Sequence, residues 1–156
     1  MNWVRPIICI ALCMGLGFAS GFSTVDAIDG WYKTIKKPVF NPPNWIFAPV
    51  WSALYFMMGL AAGLVWNKGL KKAGVGMALG LFVGQFVMNL AWTPVFFGRQ
   101  QMGMGLVIIA MLLIGILLTM RRFFQLDRLS GWLMVPYLLW VSFATLLNAS
   151  LWYLNK

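Results

Sequence analysis

The sequence predicts an all-α integral membrane protein: a bundle of five transmembrane helices with a long first loop acting as a lid. Three observations carry this. Of the 156 residues, 62% are hydrophobic and only 10% charged, with a mean hydropathy of +0.82, whereas a globular domain is roughly a quarter charged. Five apolar stretches approach or exceed the ~20 residues that a helix needs to cross a bilayer. The basic residues cluster between those stretches, at Lys33, Lys36 and Lys37, at Lys68, Lys71 and Lys72, and at Arg121, Arg122 and Arg128. That is the pattern of charge facing lipid headgroups. A soluble fold this small has too much surface for its volume to hide so many apolar side chains.

The first stretch runs from Ile7 to Ser23. Its flanks, Arg5 before it and Val25-Asp26-Ala27 after it, resemble a secretory signal, but the apolar run outlasts most signal cores and is read as a span. The second runs from Ile46 to Trp66, the third from Ala73 to Phe97, the fourth from Met104 to Met120 and the fifth from Trp132 to Tyr153. With their flanking turns these give helices at about 5–25, 45–66, 73–97, 103–124 and 131–153 within a single domain, 1–156. Pro49, Pro94 and Pro136 are expected near helix ends, where a missing N–H costs least. Cys9 and Cys13, one turn apart on the first span, read as small apolar residues and not as a disulfide framework.

The connection 26–44 is the only long one. It carries Trp31-Tyr32 and then three prolines, Pro38, Pro42 and Pro43, which stiffen the chain toward extended backbone. It is too aromatic for disorder and long enough to be functional, so Trp31, Pro42 and Pro43 are assigned to a lid over an opening between helices. The other connections are short and force neighbouring helices to run antiparallel. Five spans put the termini on opposite sides. Arg5, Lys68, Lys71, Lys72, Arg121, Arg122 and Arg128 then share one side, and Lys33, Lys36, Lys37, Arg99 and Lys156 the other. That near balance leaves orientation open.

The chain has no His and no Glu, and its acids are Asp26, Asp29 and Asp127. Catalytic triads, His-metal sites and paired-carboxylate chemistry are therefore excluded, and no metal or obligatory cofactor is expected. The scattered basic residues do not form a nucleic-acid-binding patch.

At about 100° per residue along the third span, Gly76, Gly80 and Gly84 fall on one side, and Gln85, Asn89, Trp92 and Phe96 on the opposite side. The glycines let another backbone approach closely, either inside one bundle or between two copies. Amides are costly toward lipid, so Gln85 and Asn89 must look inward, as interhelical hydrogen-bonding groups or as cavity lining. On the fifth span Trp140, Ala144 and Asn148 follow one another by a turn, with Tyr137 on the same face; on the second, Trp51 and Tyr55 do so. Of nine tryptophans, Trp3, Trp45, Trp66, Trp132 and Trp152 sit at span ends, the usual interfacial position. Trp51, Trp92 and Trp140 lie further in and are assigned to a small-molecule cavity, where flat indoles suit a planar aromatic ligand.

These residues also carry a family resemblance. Trp31-Tyr32, Lys37-Pro38, Asn41-Pro42-Pro43-Asn44-Trp45, Pro49-Val50-Trp51 and Leu54-Tyr55 occur in order. So do Gln85, Asn89 and Trp92 leading to Phe96-Phe97-Gly98, and Val135-Pro136-Tyr137-Leu138-Leu139-Trp140 leading through Ala144 to Asn148. The chain resembles the tryptophan-rich sensory protein (TspO/MBR) family, whose mitochondrial relatives are called translocator protein or peripheral-type benzodiazepine receptor. The resemblance implies a five-helix homodimer, with Gly76, Gly80 and Gly84 as its candidate contact. It implies a pocket for porphyrins such as protoporphyrin IX and for isoquinoline or benzodiazepine-type ligands such as PK11195, using Tyr32, Asn89, Trp92 and Ala144.

Some bacterial members promote light-dependent oxidative porphyrin breakdown through two tryptophans that match Trp51 and Trp140. Lys33, Lys36 and Lys37 are candidate partners for porphyrin propionates. Leu151, Tyr153 and Lys156 formally meet the family's cholesterol motif, a weak pattern. The function expected is thus a membrane receptor or sensor for tetrapyrroles, with photo-oxidation as a further activity. The alternatives are a porphyrin or sterol/lipid translocator, or a structural partner in a membrane assembly. The location expected is multi-pass, in a bacterial cell envelope or the mitochondrial outer membrane. Active transport is the weakest alternative, since no charge inside a span marks a coupling site.

Overall fold

In hydrocarbon every backbone N–H and C=O must be satisfied within the protein, and a helix does so within its own segment. The apolar runs accordingly fold as helices almost without interruption. The computed structural model describes residues 1–156, apart from the side chain of Ser23. Helix α1 spans Val4–Gly21; after a 3₁₀ turn, the first loop holds α2 (Val25–Asp29) and α3 (Trp31–Thr34). Then come α4 (Phe47–Trp66), α5 (Val75–Thr93), α6 (Met102–Leu126) and α7 (Arg128–Asn155). Five helices, α1 and α4 to α7 with their flanking turns, are long and apolar enough to cross a membrane.

Around the bundle, α1 lies along α4, α4 along α7, α7 along α6 and α6 along α5, and α5 closes the ring against α1 and α4. The α1–α4 crossing is close because of two glycines. A Cβ on Gly59 would fall inside the backbone of Ile10, and one on Gly63 inside that of Pro6. Arg5 fastens the same pair at the membrane edge. Its guanidinium donates to the Trp66 carbonyl at 3.0 Å and lies 5.2 Å from the centre of that indole.

The structure departs from the sequence expectations in three places. The first loop is not extended throughout: its first half coils into α2 and α3, and the irregular part runs from 35 to 43. The third span ends in a π turn, Pro94–Gly98, where the proline ring has no N–H to continue the ladder. The fifth helix begins at Arg128, which leaves Pro136 two turns inside it and not at its end. The cause is a cap. The Asp127 carboxylate accepts the Ser130 N–H at 2.9 Å and the Ser130 hydroxyl at 2.7 Å, which satisfies donors at the helix start and extends it ahead of Trp132.

Candidate functional site: a tryptophan-walled cavity

A cavity of about 520 Å³ opens between α1, α4, α5, α7 and the first loop, within the usual range for a small-molecule site. Its wall is built from Gly17 and Gly21 of α1, Phe47, Trp51 and Tyr55 of α4, and Trp92 of α5 with Phe96 and Phe97 of the π turn. Trp140, Ala144, Leu147, Asn148 and Leu151 of α7 and Asp29, Tyr32 and Asn44 of the loop complete it. The indoles are held by their neighbours. Trp51 stacks on Tyr55, ring centres 5.5 Å apart, and meets Trp140 at right angles at 6.5 Å. Trp92 stacks on Phe96 at 5.0 Å, and its N–H donates to Asn148 Oδ1 at 3.0 Å. Asn148 in turn donates to the Met102 carbonyl at 2.9 Å, so its amide ties α5, α6 and α7 together at the cavity wall.

Six of the residues assigned to ligand binding from the sequence, Tyr32, Trp51, Tyr55, Trp92, Ala144 and Asn148, line this cavity; Gln85 and Asn89 do not. Both amides face inward, but behind the wall. The Tyr55 hydroxyl donates to Asn89 Oδ1 at 2.9 Å, Asn89 Nδ2 donates to the Tyr137 hydroxyl at 2.9 Å, and that hydroxyl donates to Gln85 Oε1 at 2.8 Å. This chain of buried hydrogen bonds joins α4, α5 and α7, and Asn89 meets the cavity only through Tyr55. Among the described residues, Gln85 Nε2 and the Trp140 indole N–H are buried without an acceptor.

The first loop is fastened over the cavity's end. The buried Tyr32 hydroxyl donates to Asn41 Oδ1 at 2.7 Å, and the Lys37 ammonium lies 4.9 Å from the centre of the Tyr32 ring. Burial pushes that hydroxyl's pKa up to about 12, against an opposing contribution from Asn41. At the far end of α7, the side chain of Asn155 accepts the Lys36 N–H at 2.8 Å and donates to the Lys36 carbonyl at 2.8 Å. Of the assigned lid residues, Trp31 packs edge-on against Phe96 at 5.7 Å, and Pro42 and Pro43 lead into the turn that carries Asn44; none of the three lines the cavity. Lys33, Lys36 and Lys37 also stay off the wall, although Lys33 pairs at 3.9 Å with Asp29, the acid at its rim.

Gly76, Gly80 and Gly84 face outward with nothing within 4 Å of a built Cβ. The sterol motif is divided: Leu151 is buried in the cavity wall, whereas Tyr153 is exposed beneath the Lys156 ammonium. Sequence reasoning missed Gly17, Gly21, Leu147 and Leu151. Their signals were present, in the one-turn spacing Cys13–Gly17–Gly21 and in Leu147 and Leu151 continuing the Ala144–Asn148 face.

Five membrane-length helices around an aromatic cavity define a multi-pass integral membrane protein. The model of the TspO/MBR family matches residues 9–154, and the chain belongs to that family. It is 44% identical to the tryptophan-rich protein TspO of Chlorobaculum tepidum, over 95% of this chain and 94% of that one. It is 38% identical to the tryptophan-rich sensory protein of Cereibacter sphaeroides, over 99% and 94%. With the translocator protein of Homo sapiens it shares 40% identity, over 96% and 89%. Membership of this family supports a membrane sensor or receptor role.

Proposed function

We propose that the chain is a membrane receptor whose cavity takes a flat tetrapyrrole of the protoporphyrin IX kind, and isoquinoline or benzodiazepine-type aromatics in the same place. The observation that carries this is the convergence of Trp51, Trp92 and Trp140, from three helices, on one largely apolar hollow. Indole faces and edges favour offset or edge-on contact with a planar ring, and polar side chains on the wall, among them Asp29, Asn44, Ser52 and Asn148, orient it. Propionates would lie toward the loop, where Lys33, Lys36 and Lys37 stand outside the rim. A homodimer through the open glycine face fits the same reading.

The right-angled contact of Trp51 and Trp140 favours a second activity. An excited porphyrin with dioxygen as oxidant would be broken down beside two oxidisable indoles, with no acid–base residue needed.

The test is a titration with protoporphyrin IX followed by quenching of tryptophan fluorescence. Saturable quenching, weakened about tenfold or more by Trp140→Leu, is expected for an aromatic anchor that fills a pocket. Unchanged affinity in that variant would remove the ligand from this cavity. Under illumination in air, Trp51→Phe with Trp140→Phe should suppress the porphyrin breakdown product, and an undiminished yield would end the photo-oxidative proposal.

A further inference from the structure

At the other end of α5 from the cavity, a groove runs along the outer seam between α5 and α6. Its floor is Met77 and Leu81 of α5 and Leu118 of α6, and its rim is Arg121, Arg122 and Gln125 of α6. Arg122 lies about one turn before the end of α6, so two guanidiniums stand at the border of the apolar region. No acid lines the groove. The acid nearest in sequence, Asp127, is already engaged by Lys68 at 3.4 Å and by Ser130. Among the described residues, neither arginine makes an ion pair or a hydrogen bond.

Two unpaired cations at the edge of hydrocarbon call for an anion. The floor beneath them calls for an apolar chain, and one kind of molecule in a bilayer supplies both. We propose that this groove seats an anionic phospholipid, with its phosphate between Arg121 and Arg122 and an acyl chain along Met77, Leu81 and Leu118. Basic pockets between transmembrane helices hold acidic headgroups in this way. A zwitterionic lipid brings the same phosphate together with a cation, which faces the same two guanidiniums and offsets the attraction. Gln125, one turn beyond Arg121 or Arg122, can donate to a headgroup oxygen.

The test uses the purified full chain in detergent, offered phosphatidylglycerol or phosphatidylcholine, with retained lipids counted by native mass spectrometry. Phosphatidylglycerol should be held preferentially. Each guanidinium near the surface contributes about fivefold, so Arg121→Gln with Arg122→Gln should weaken retention by about thirtyfold. Both side chains are exposed, so helix content by circular dichroism should not change. Lys71→Gln with Lys72→Gln removes the same charge from the same end of the bundle but not from the groove, and should leave the preference standing.

Equal retention of the two lipids overturns the proposal. So does equal loss in both variant pairs, which would mark diffuse surface charge. Undiminished phosphatidylglycerol retention after the arginine changes also overturns it; if the dimer fraction shifts at the same time, the groove is a contact between copies.

Discussion

Replacing Asn89 with leucine separates a framework role from a ligand role. The side chains are similar in size, so the change removes two hydrogen bonds, one accepted from Tyr55 and one donated to Tyr137, without opening a large void. Interhelical bonds in membranes contribute about 0.6 kcal/mol on average and up to about 1.7, so the pair contributes about 1–3 kcal/mol. Tyr137 still has Gln85 as acceptor, and Tyr55 can turn its hydroxyl toward the cavity it lines. The lower part of the range, about 1–2 kcal/mol, is therefore expected. For a chain of this size that lowers Tm by roughly 2–8 °C, readable by thermal unfolding in nanodiscs. Tyr137→Phe should cost more, because it strips a partner from both Asn89 and Gln85, and the Gln85 amide would then make no side-chain bond. Protoporphyrin affinity in Asn89→Leu should change far less than in Trp140→Leu. Unaltered Tm combined with binding weakened as strongly as in Trp140→Leu would show that Asn89 touches ligand, and the placement of the network behind the wall would be wrong.

Three further outcomes are expected. Asn155→Leu removes both bonds to Lys36, a loss of about 1–3 kcal/mol from the loop's attachment, and should speed porphyrin dissociation in stopped flow at little cost in Tm; an unchanged off-rate would mean the loop does not control exit. Gly63→Ala drives a methyl into the Pro6 backbone and should destabilise by about 1–3 kcal/mol as α1 is pushed from α4, whereas Gly15→Ala, with open space around it, should be silent in the same melt. Burial alone would raise the Asp127 carboxyl pKa, but the Ser130 hydroxyl and N–H and the Lys68 ammonium outweigh it and hold it below 3.8. Its stabilisation is then complete above the ordinary carboxylate range and lost as pH falls through the lowered value; Asp127→Ala should lower stability by about 1 kcal/mol at neutral pH and flatten that acid limb, and an acid limb of unchanged slope would contradict the assignment.

The five spans were legible because length and hydropathy decide them almost alone. The inward face of α5 was legible too, since Gln85 and Asn89 cannot face lipid and the glycines opposite them need no burial. A helical wheel gives direction and not depth, however. It could not tell that the two amides would meet Tyr55 and Tyr137 behind the wall while Trp92, one turn on from Asn89, would reach the cavity. The start of α7 was misjudged because hydropathy begins at Trp132, whereas the helix is set by a polar signal, Asp127 three residues before Ser130. Tyr32 came to the cavity wall only through the family resemblance. No periodicity links a four-residue helix in a loop to a pocket built from α1, α4, α5 and α7.

The ring order of the bundle has a consequence for assembly in the membrane. The last of the five rods in chain order, α7, wedges between α4 and α6, so the pairs α1–α4 and α5–α6, which pack without it, are locked together only when it arrives. Until it arrives, the hollow lacks Trp140, Ala144 and Asn148, Trp92 has no amide to grip, and the loop lacks its fastening at Asn155. A half-inserted chain thus has no finished hollow, whose walls meet only once the whole bundle has closed.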